Sequence, residues 1–311
     1  MPKPYLSIVI PVYNEAENLE NLYNRLTNVL DAYGKAYEII LVNDGSSDNS
    51  ENILDALYEK RPEILKVVHF NGNFGQHMAI MAGFEQADGE VAVTLDADLQ
   101  NPPEEIPKLV AAIEAGHDYV GSIRKNRQDS WFRRNASRLN NTIRSKITHI
   151  VMNDQGCMLR AYKRNVLDAM LASKESSIYI PALAYSYSHS PIEVEIEHSS
   201  RVAGESKYNF YKLLRLNFDI MTGFSLVPLQ IFTLIGMLSS VLSGLLVIVL
   251  LIRRFTIGSE AEGIFTLFAV LYFLISILLM GLGIIGEYIG RIHQEARQRP
   301  PYIINRIVES K

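Results

Sequence analysis

Residues 91–100 read VAVTLDADLQ, a short apolar run that ends in two aspartates. The run 91–95 is predicted to be a buried strand, because a continuous apolar segment bounded by polar residues is typical of a parallel sheet that helices cover on both faces. Asp96 and Asp98 follow at the carboxyl end of this strand, where an open α/β sheet binds its ligands. The stretch therefore predicts an α/β fold and the edge of the sheet that carries the site.

The chain around this stretch repeats the same alternation. Further strands are predicted at 6–12, 37–42, 66–70 and 118–122, and helices at 16–33, 48–60, 76–86 and 104–115. Strands that alternate with helices indicate a Rossmann-like parallel sheet. Polar clusters also follow the first three strands, at 11–15, 43–48 and 71–77. Neither Gly-x-Gly-x-x-Gly after the first strand nor a Walker A loop occurs, which disfavours dinucleotide and P-loop proteins.

The paired aspartates indicate a metal site. Two carboxylates, together with Gln100, suit Mg²⁺ or Mn²⁺ bridging a diphosphate, because these hard ions prefer oxygen ligands. Solvated loop carboxylates are the alternative. The strand before the pair and the helix start after it, at 101–105, favour the metal site.

A strongly basic segment covers residues 124–146. It holds eight basic residues and one acid, a net charge of +7 in a chain whose net charge is −4. A solvated helix face is the usual explanation of such a charge run. Because membrane spans are predicted further along the chain, binding of an anionic lipid head group or a diphosphate is the better interpretation. A second basic cluster combines Arg201, Ser206 and Lys207.

Two stretches carry no charged residue, 220–252 and 263–286. Each exceeds the roughly 20 apolar residues that cross a bilayer, so membrane spans are predicted at 228–252 and 264–286, with buried core helices as the alternative. Basic residues flank the pair on both sides, which predicts cytoplasmic termini. An amphipathic stretch at 204–227 is predicted to lie on the bilayer surface, or else on the soluble domain. The predicted parts are therefore 1–203, 204–227, 228–286 and a tail at 287–311.

The overall composition excludes several classes of protein. The 311 residues include 30 Lys+Arg against 34 Asp+Glu, which argues against nucleic acid as the main partner. One cysteine, Cys157, rules out a disulfide framework and is predicted to be buried and inert. Small residues at helical spacing in the first span, Gly236, Ser240 and Gly244, suggest self-association through the spans.

Taken together, these residues resemble the family 2 glycosyltransferases, and within them the polyprenyl-phosphate sugar transferases related to dolichol-phosphate mannose synthase. The stretches that carry the resemblance are VIPVYNE at 9–15, NDGS at 43–46, DADLQNPP at 96–103, GEYIGR at 286–291, GQH at 75–77, RQDSWFR at 127–133, GCMLRAY at 156–162 and GESKY at 204–208. The resemblance implies a GT-A type domain followed by a two-helix membrane hairpin in the bacterial inner membrane, with the catalytic domain in the cytoplasm.

The resemblance also implies an activity. It is the inverting, metal-dependent transfer of 4-deoxy-4-formamido-L-arabinose from UDP to undecaprenyl phosphate for lipid A modification. The alternatives are a sister enzyme that transfers glucose or another hexose and, more remotely, a membrane scaffold that binds nucleotide sugars without reacting.

Individual residues take their implied roles from the same resemblance. Pro11, Tyr13, Glu15 and Asp44 would line the uridine pocket, while Asp96, Asp98 and Gln100 would hold the metal and diphosphate. The candidates for the acceptor phosphate are Arg124, Arg127, Arg134, Arg138, Arg201, Ser206 and Lys207. Asp96, Asp98, Arg201 and Lys207 form the predicted catalytic set. One departure is Asn43, where the family often has a second aspartate.

Overall fold

A computed structural model describes residues 3–125, 152–154, 156–173, 179–197, 226–257, 264–297 and 299–310. Most of the basic segment, the cluster at Arg201 and Lys207, and the predicted interfacial helix lie outside the described residues. The chain divides into two compact units, 1–208 with 299–311, and 209–298.

The first unit is an α/β domain. Its strands are β1 (Leu6–Val12), β2 (Tyr37–Asn43), β3 (Leu65–Phe70), β4 (Val91–Thr94), β5 (Tyr119–Arg124), β6 (Arg160–Lys163), β7 (Pro191–Ile196) and β8 (Ile304–Val308). Its helices are α1 (Leu19–Tyr33), α2 (Ser50–Lys60), α3 (Gln76–Glu85), α4 (Ile106–Glu114), α5 (Arg164–Ala172) and α6 (Ile180–Tyr187), with a short 3₁₀ turn at Pro103–Glu105. The five strands and four helices predicted from the alternation are confirmed to within a few residues.

The sheet is mixed rather than wholly parallel. Its order is β7-β5-β6-β4-β1-β2-β3-β8, and the central strands β4, β1, β2 and β3 are parallel. β6 runs antiparallel to both β4 and β5, and β8 runs antiparallel to β3. All five predicted strands run in the same direction, and so does β7, so the prediction of a parallel sheet was wrong only for β6 and β8, two strands that the alternation did not reveal. The sequence hides β6 because this strand has only four residues, and two of them, Arg160 and Lys163, are basic.

Burial explains why the centre was predictable. Ile8, Ile10 and Val12 of β1 are completely buried in the core, as the continuous apolar run requires. Helix α1 buries Leu22, Leu26 and other leucines at spacings of three and four residues, so one of its faces covers the sheet.

The end of the chain rejoins the α/β domain. Residues predicted as a tail at 287–311 instead continue the last helix and then form β8, which pairs with β3. Tyr302 stacks on Phe70 with ring centroids 5.0 Å apart. Arg306 forms ion pairs with Glu51 and Asp55 of α2. The C-terminal strand is thus part of the folded domain.

The second unit contains two long apolar helices, α7 (Val227–Ile257) and α8 (Ile264–Ala296). Within them, Leu229–Leu246 and Val270–His293 have mean hydropathies of 1.8 and 2.2, and 0% and 6% of their residues are buried in the chain. Length and composition are sufficient for crossing a membrane. The low burial disfavours the alternative of core helices in a soluble protein.

Close packing between α7 and α8 uses a glycine that the sequence analysis did not single out. A Cβ atom added to Gly281 would lie 1.8 Å from Cζ of Phe232, so this ring occupies the space that a side chain would need. By contrast, among the described residues nothing comes within 4 Å of a Cβ at Gly236 or Gly244. Self-association through the small residues of α7 stays a prediction.

This packing predicts different effects of alanine substitution at two nearby glycines of α8, Gly281 and Gly283. Gly281→Ala is expected to lower the unfolding temperature of the full-length protein, because Phe232 must move and lose its contacts. Gly283→Ala is the matched control, since no atom of the residues that the structure describes lies within 4 Å of its Cβ position. That change is expected to be neutral, or to stabilise α8 by about 0.5–1 kcal/mol through the lower entropy of alanine in the unfolded chain. Equal effects of the two changes in thermal unfolding would contradict this packing.

Candidate active site

The loops after β1 and β2 hold each other in place at the carboxyl edge of the sheet. The Asn14 backbone N–H donates to Ser46 Oγ at 3.1 Å, and Ser47 N–H donates to Asn14 Oδ1 at 2.8 Å. Glu15 N–H donates to Ser50 Oγ at 3.1 Å. Pro11 is half-buried in β1, and Tyr13 is 43% exposed at the edge. The predicted uridine residues of the first loop thus lie beside the loop that carries Asp44.

Asp44 anchors a third loop. Its Oδ1 accepts from Phe74 N–H at 2.6 Å, and its Oδ2 accepts from Gly75 N–H at 2.9 Å and from Asn73 Nδ2 at 3.1 Å. Burial raises the pKa of the Asp44 carboxyl group, and the two backbone N–H donors oppose that effect. Asp44 therefore joins the loop after β2 to the loop after β3, a role that sequence reasoning did not predict.

A glycine makes this close approach possible. Gly45 has φ +66°, and a Cβ at this position would lie 2.4 Å from the carbonyl carbon of Gly72. Any side chain would push the two loops apart. The NDGS stretch thus combines the carboxylate that holds the neighbouring loop with the glycine that lets it come near.

Asp96 and Asp98 lie together just beyond β4. The chain leaves the pleat here, and Leu99 adopts a left-handed conformation with φ 59°, which is rare for leucine and is often found at functional sites. Gln76 Nε2 donates to Asp96 Oδ1 at 2.6 Å, and Gln100 N–H donates to Asp98 Oδ1 at 3.1 Å. The bend brings the two carboxylates to the same edge.

The electrostatics of this pair indicate a site for a cation. Burial raises the pKa of Asp96 to about 7; the nearby negative charge of Asp98 adds to the rise, and that of Glu15 contributes less. A carboxyl group that is buried next to a second carboxylate is common at functional sites. Within the described residues no group of three His, Cys, Asp or Glu side chains forms a metal site. Asp96 and Asp98 are the hard oxygen donors that Mg²⁺ and Mn²⁺ prefer, so this pair fits such an ion with fewer protein ligands than a closed metal site has.

Arg124 is the one member of the predicted phosphate-binding set that the structure describes. Its Nε and Nη2 donate to Asp154 Oδ2 and Oδ1 at 2.6 and 2.8 Å, a bidentate pair in which the Asp154 side chain is only 3% exposed. This pair raises the pKa of Arg124, whose charge in turn lowers that of Asp96. Gly156 leaves room for the Arg124 guanidinium, because a Cβ at this position would lie only 3.2 Å from Nη2. Asp154 therefore positions a cation near Asp96.

The rest of that set cannot be placed in the same way. Arg127, Arg134, Arg138, Arg201, Ser206 and Lys207 lie outside the described residues. Their roles stay predictions.

Two further side chains of this domain, Cys157 and His77, have pKa values that burial shifts. Cys157 is 1% exposed, and burial raises the pKa of its thiol, so the prediction of a buried cysteine is confirmed. His77 has a buried Nδ1 without a hydrogen-bond partner in the described part of the chain. Burial lowers its pKa to about 4, and its ring contacts Tyr179 edge-on at 5.3 Å.

Sequence reasoning missed two side chains that build the site, Asn73 and Gln76, and left the role of a third, Asp154, open. Asn73 and Gln76 hold the loop after β3 to Asp44 and Asp96, and Asp154 holds Arg124. Both residues lie in a polar cluster at a strand end, and Gln76 also belongs to the GQH stretch at 75–77, but neither signal names their partners. Nothing in the sequence pairs Asp154 with a residue 30 positions away.

The chain belongs to glycosyl transferase family 2, whose sequence profile matches residues 7–171. It is therefore a glycosyltransferase. Two curated relatives carry the name undecaprenyl-phosphate 4-deoxy-4-formamido-L-arabinose transferase, one from Proteus mirabilis and one from Edwardsiella ictaluri. Each is 47% identical to this chain over 308 residues, which cover 98% of this chain and 94% and 95% of the respective relative.

Solved structures share the fold at much lower identity. A mycobacterial protein superposes with a TM-score of 0.50 at 16% identity, over 70% of this chain and 73% of its own. Glucosyl-3-phosphoglycerate synthase from Mycobacterium tuberculosis, crystallised with Mn²⁺, UDP and glucosyl-3-phosphoglycerate, gives a TM-score of 0.49 at 16% identity over 70% and 78% of the two chains.

Proposed function

We propose that this glycosyltransferase moves 4-deoxy-4-formamido-L-arabinose from UDP to undecaprenyl phosphate, with inversion and with a divalent metal, as a step in lipid A modification. The observation that carries the proposal is the 47% identity to transferases of that name, which extends over 98% of the chain and so includes both the acidic edge and the apolar helices. A likeness confined to the α/β domain would support only the family.

The donor side of the proposal rests on the edge of the sheet. Asp44 and the loops of β1 and β3 would bind uridine, and Asp96 and Asp98, with Gln100 beside them, would hold Mg²⁺ or Mn²⁺. When bound, such an ion neutralises the negative charge that develops on the departing diphosphate. Gln76 fixes the orientation of Asp96, since its amide donates to Oδ1 at 2.6 Å.

The acceptor side explains why the site needs no dedicated general base. A lipid monophosphate has a second pKa near 6, so its oxygen is already ionised at neutral pH and can attack the anomeric carbon directly. A sugar hydroxyl would need a base to remove its proton. Arg124, held by Asp154, would stabilise phosphate charge during this displacement, and Arg201 and Lys207 are the further candidates. UDP leaves from the opposite face, which inverts the configuration.

The membrane part of the proposal follows from α7 and α8. We infer that both helices span the bacterial inner membrane, with both termini and the catalytic domain in the cytoplasm. Arg253 and Arg254 are the only basic residues between the two predicted spans, whereas basic residues are more numerous before and after the pair. A polyprenyl phosphate would then reach the enzyme from the same bilayer.

A panel of donors tests the function directly. Purified full-length protein is offered the UDP-linked formamido-arabinose, UDP-glucose and other UDP-hexoses with undecaprenyl phosphate and Mn²⁺. We expect transfer of the pentose at a kcat/KM at least roughly tenfold above that of any hexose, the discrimination that missing contacts to one sugar group commonly give. Transfer of glucose alone would overturn the sugar and leave the family standing. UDP binding without any transfer would favour the scaffold.

A further inference from the structure

A row of side chains joins the C-terminal strand to the nucleotide loop. Asn43, His69 and Arg306 are register partners across three adjacent strands, β2, β3 and β8. Opposite residues of paired strands point to the same face of a sheet, and α2 supplies Glu51 and Asp55 to that face. Asn43 immediately precedes Asp44.

The hydrogen bonds along this row have defined directions. Ser46 N–H must donate, so the oxygen it meets at 3.0 Å is Oδ1 of Asn43, and the Asn43 Nδ2 then faces His69 Nδ1 at 3.1 Å as a donor. His69 Nδ1 is therefore the acceptor, and its Nε2–H donates to Asp55 Oδ1 at 3.1 Å. Arg306 Nη2 donates to Asp55 Oδ2 at 2.5 Å and to Glu51 Oε1 at 2.9 Å.

Burial and charge keep the His69 ring neutral, and its two hydrogen bonds select the tautomer. The imidazole is 1% exposed, and burial lowers its pKa, with the nearby cation Arg306 adding to the effect. Asp55 and Glu51 oppose it. A neutral ring with the proton on Nε2 satisfies both neighbours. This arrangement also explains the departure at position 43, because an aspartate there would place an acceptor against the unprotonated Nδ1.

We propose that His69 and Arg306 are positioning residues for the nucleotide loop, which they hold through the row Arg306–Asp55–His69–Asn43–Ser46. The inference rests on the proposed binding of UDP at Asp44. The loop 43–46 carries Asp44 and also bonds the loop of β1 through Ser46 Oγ, so its conformation sets both predicted walls of the uridine pocket. The strand that follows α8 thus contributes to nucleotide binding without touching the nucleotide.

The first test replaces His69 by glutamine in the full-length protein and measures UDP binding with Mn²⁺ by calorimetry. Glutamine retains an N–H donor for Asp55 but offers no acceptor where Nδ1 stands. We expect the Kd of UDP to rise roughly 3–10-fold, the size of about one lost hydrogen bond, while kcat at saturating donor changes less than about twofold. Arg306→Gln is expected to give a smaller change in the same direction.

The matched control is Arg61→Gln. Arg61 also joins two carboxylates, those of Asp31 and Glu63, and its side chain is 34% exposed against 40% for Arg306, but it has no bond to the nucleotide loop. This variant is expected to bind UDP like the wild type. A folded His69→Gln protein with wild-type affinity for UDP would overturn the inference, as would an equal loss in the Arg61→Gln control.

A second variant decides the matter even where His69→Gln does not fold. In Asn43→Asp, the aspartate has the same shape as asparagine but can only accept a hydrogen bond from His69 Nδ1. That bond requires a protonated imidazole, whose pKa the new carboxylate raises. The hydrogen bond is therefore present below the pKa of His69 and is lost as the pH rises above it. We expect the ratio of the variant's UDP Kd to that of the wild type to be several-fold larger at pH 8 than at pH 6. An unchanged ratio overturns the inference. Failure of the wild type to bind UDP would overturn the proposed function as well, whereas a wild-type Kd for UDP in every variant would overturn the positioning role alone.

Discussion

Asp98→Asn and Asp96→Asn are each expected to lower sugar transfer by roughly 10²–10³-fold at saturating donor, acceptor and Mn²⁺. The two carboxylates place two negative charges close together at the edge of the sheet. Loss of either charge would weaken the binding of a metal ion that stabilises the departing diphosphate. Initial rates of UDP release, measured across a titration of Mn²⁺, check this expectation. Wild-type turnover in either variant with metal present would show that the metal assignment is wrong.

The fold is expected to tolerate the change at position 96. Because the pKa of Asp96 is raised to about 7 in the metal-free protein, a neutral side chain suits this environment at least as well as a carboxylate. Asp96→Asn should therefore unfold at a temperature no lower than the wild type when metal is absent. Asp88→Asn serves as the matched control. Asp88 pairs with Lys66 at the protein surface, where its side chain is 63% exposed, and its loss should leave transfer unchanged.

The central sheet could be predicted from the sequence because its strands carry the signal themselves. β1 and β4 are continuous apolar runs, and their carboxyl ends are marked by polar clusters, so the edge that holds Asp44, Asp96 and Asp98 followed from period and position. The outer strands carry no such signal. β7 alternates, β6 contains Arg160, and β8 lies beyond two helices that separate it from β3 by more than 200 residues.

Pairings between side chains could not be predicted from the sequence for a related reason. Asp44 was expected to line the uridine pocket, and it also accepts three hydrogen bonds from residues 73–75. Arg124 was expected to bind a phosphate, and in the structure its guanidinium also donates to the Asp154 carboxylate. Such partners depend on how loops pack after the sheet has formed, and residue types at a strand end do not specify them. The sequence identified the groups that meet ligands better than the groups that support them.

Asp44→Asn is expected to raise the Kd of UDP about 10–100-fold, the loss that follows when a charged hydrogen-bonding group becomes neutral. Both carboxylate oxygens of Asp44 accept from backbone N–H groups of the neighbouring loop. In the asparagine, the amide NH₂ replaces one of these oxygens and faces a backbone N–H, so that hydrogen bond is lost. The loop after β3 is then released, and Gln76, at the start of α3, loses its fixed approach to Asp96. UDP titration calorimetry with Mn²⁺, beside thermal unfolding of the same samples, measures both consequences.

Asp118→Asn separates the effect on binding from the effect on stability. Asp118 is 7% exposed against 2% for Asp44, and it also accepts three hydrogen bonds from a neighbouring loop, namely from Ser188 Oγ, His189 N–H and Ser190 N–H. It stands immediately before β5, at the opposite end of that strand from Arg124. Both variants should lose about 1–3 kcal/mol of unfolding free energy, since each leaves a buried donor unsatisfied. Only Asp44→Asn should weaken UDP binding, and equal weakening in both would mean that Asp44 acts through stability rather than through the nucleotide pocket.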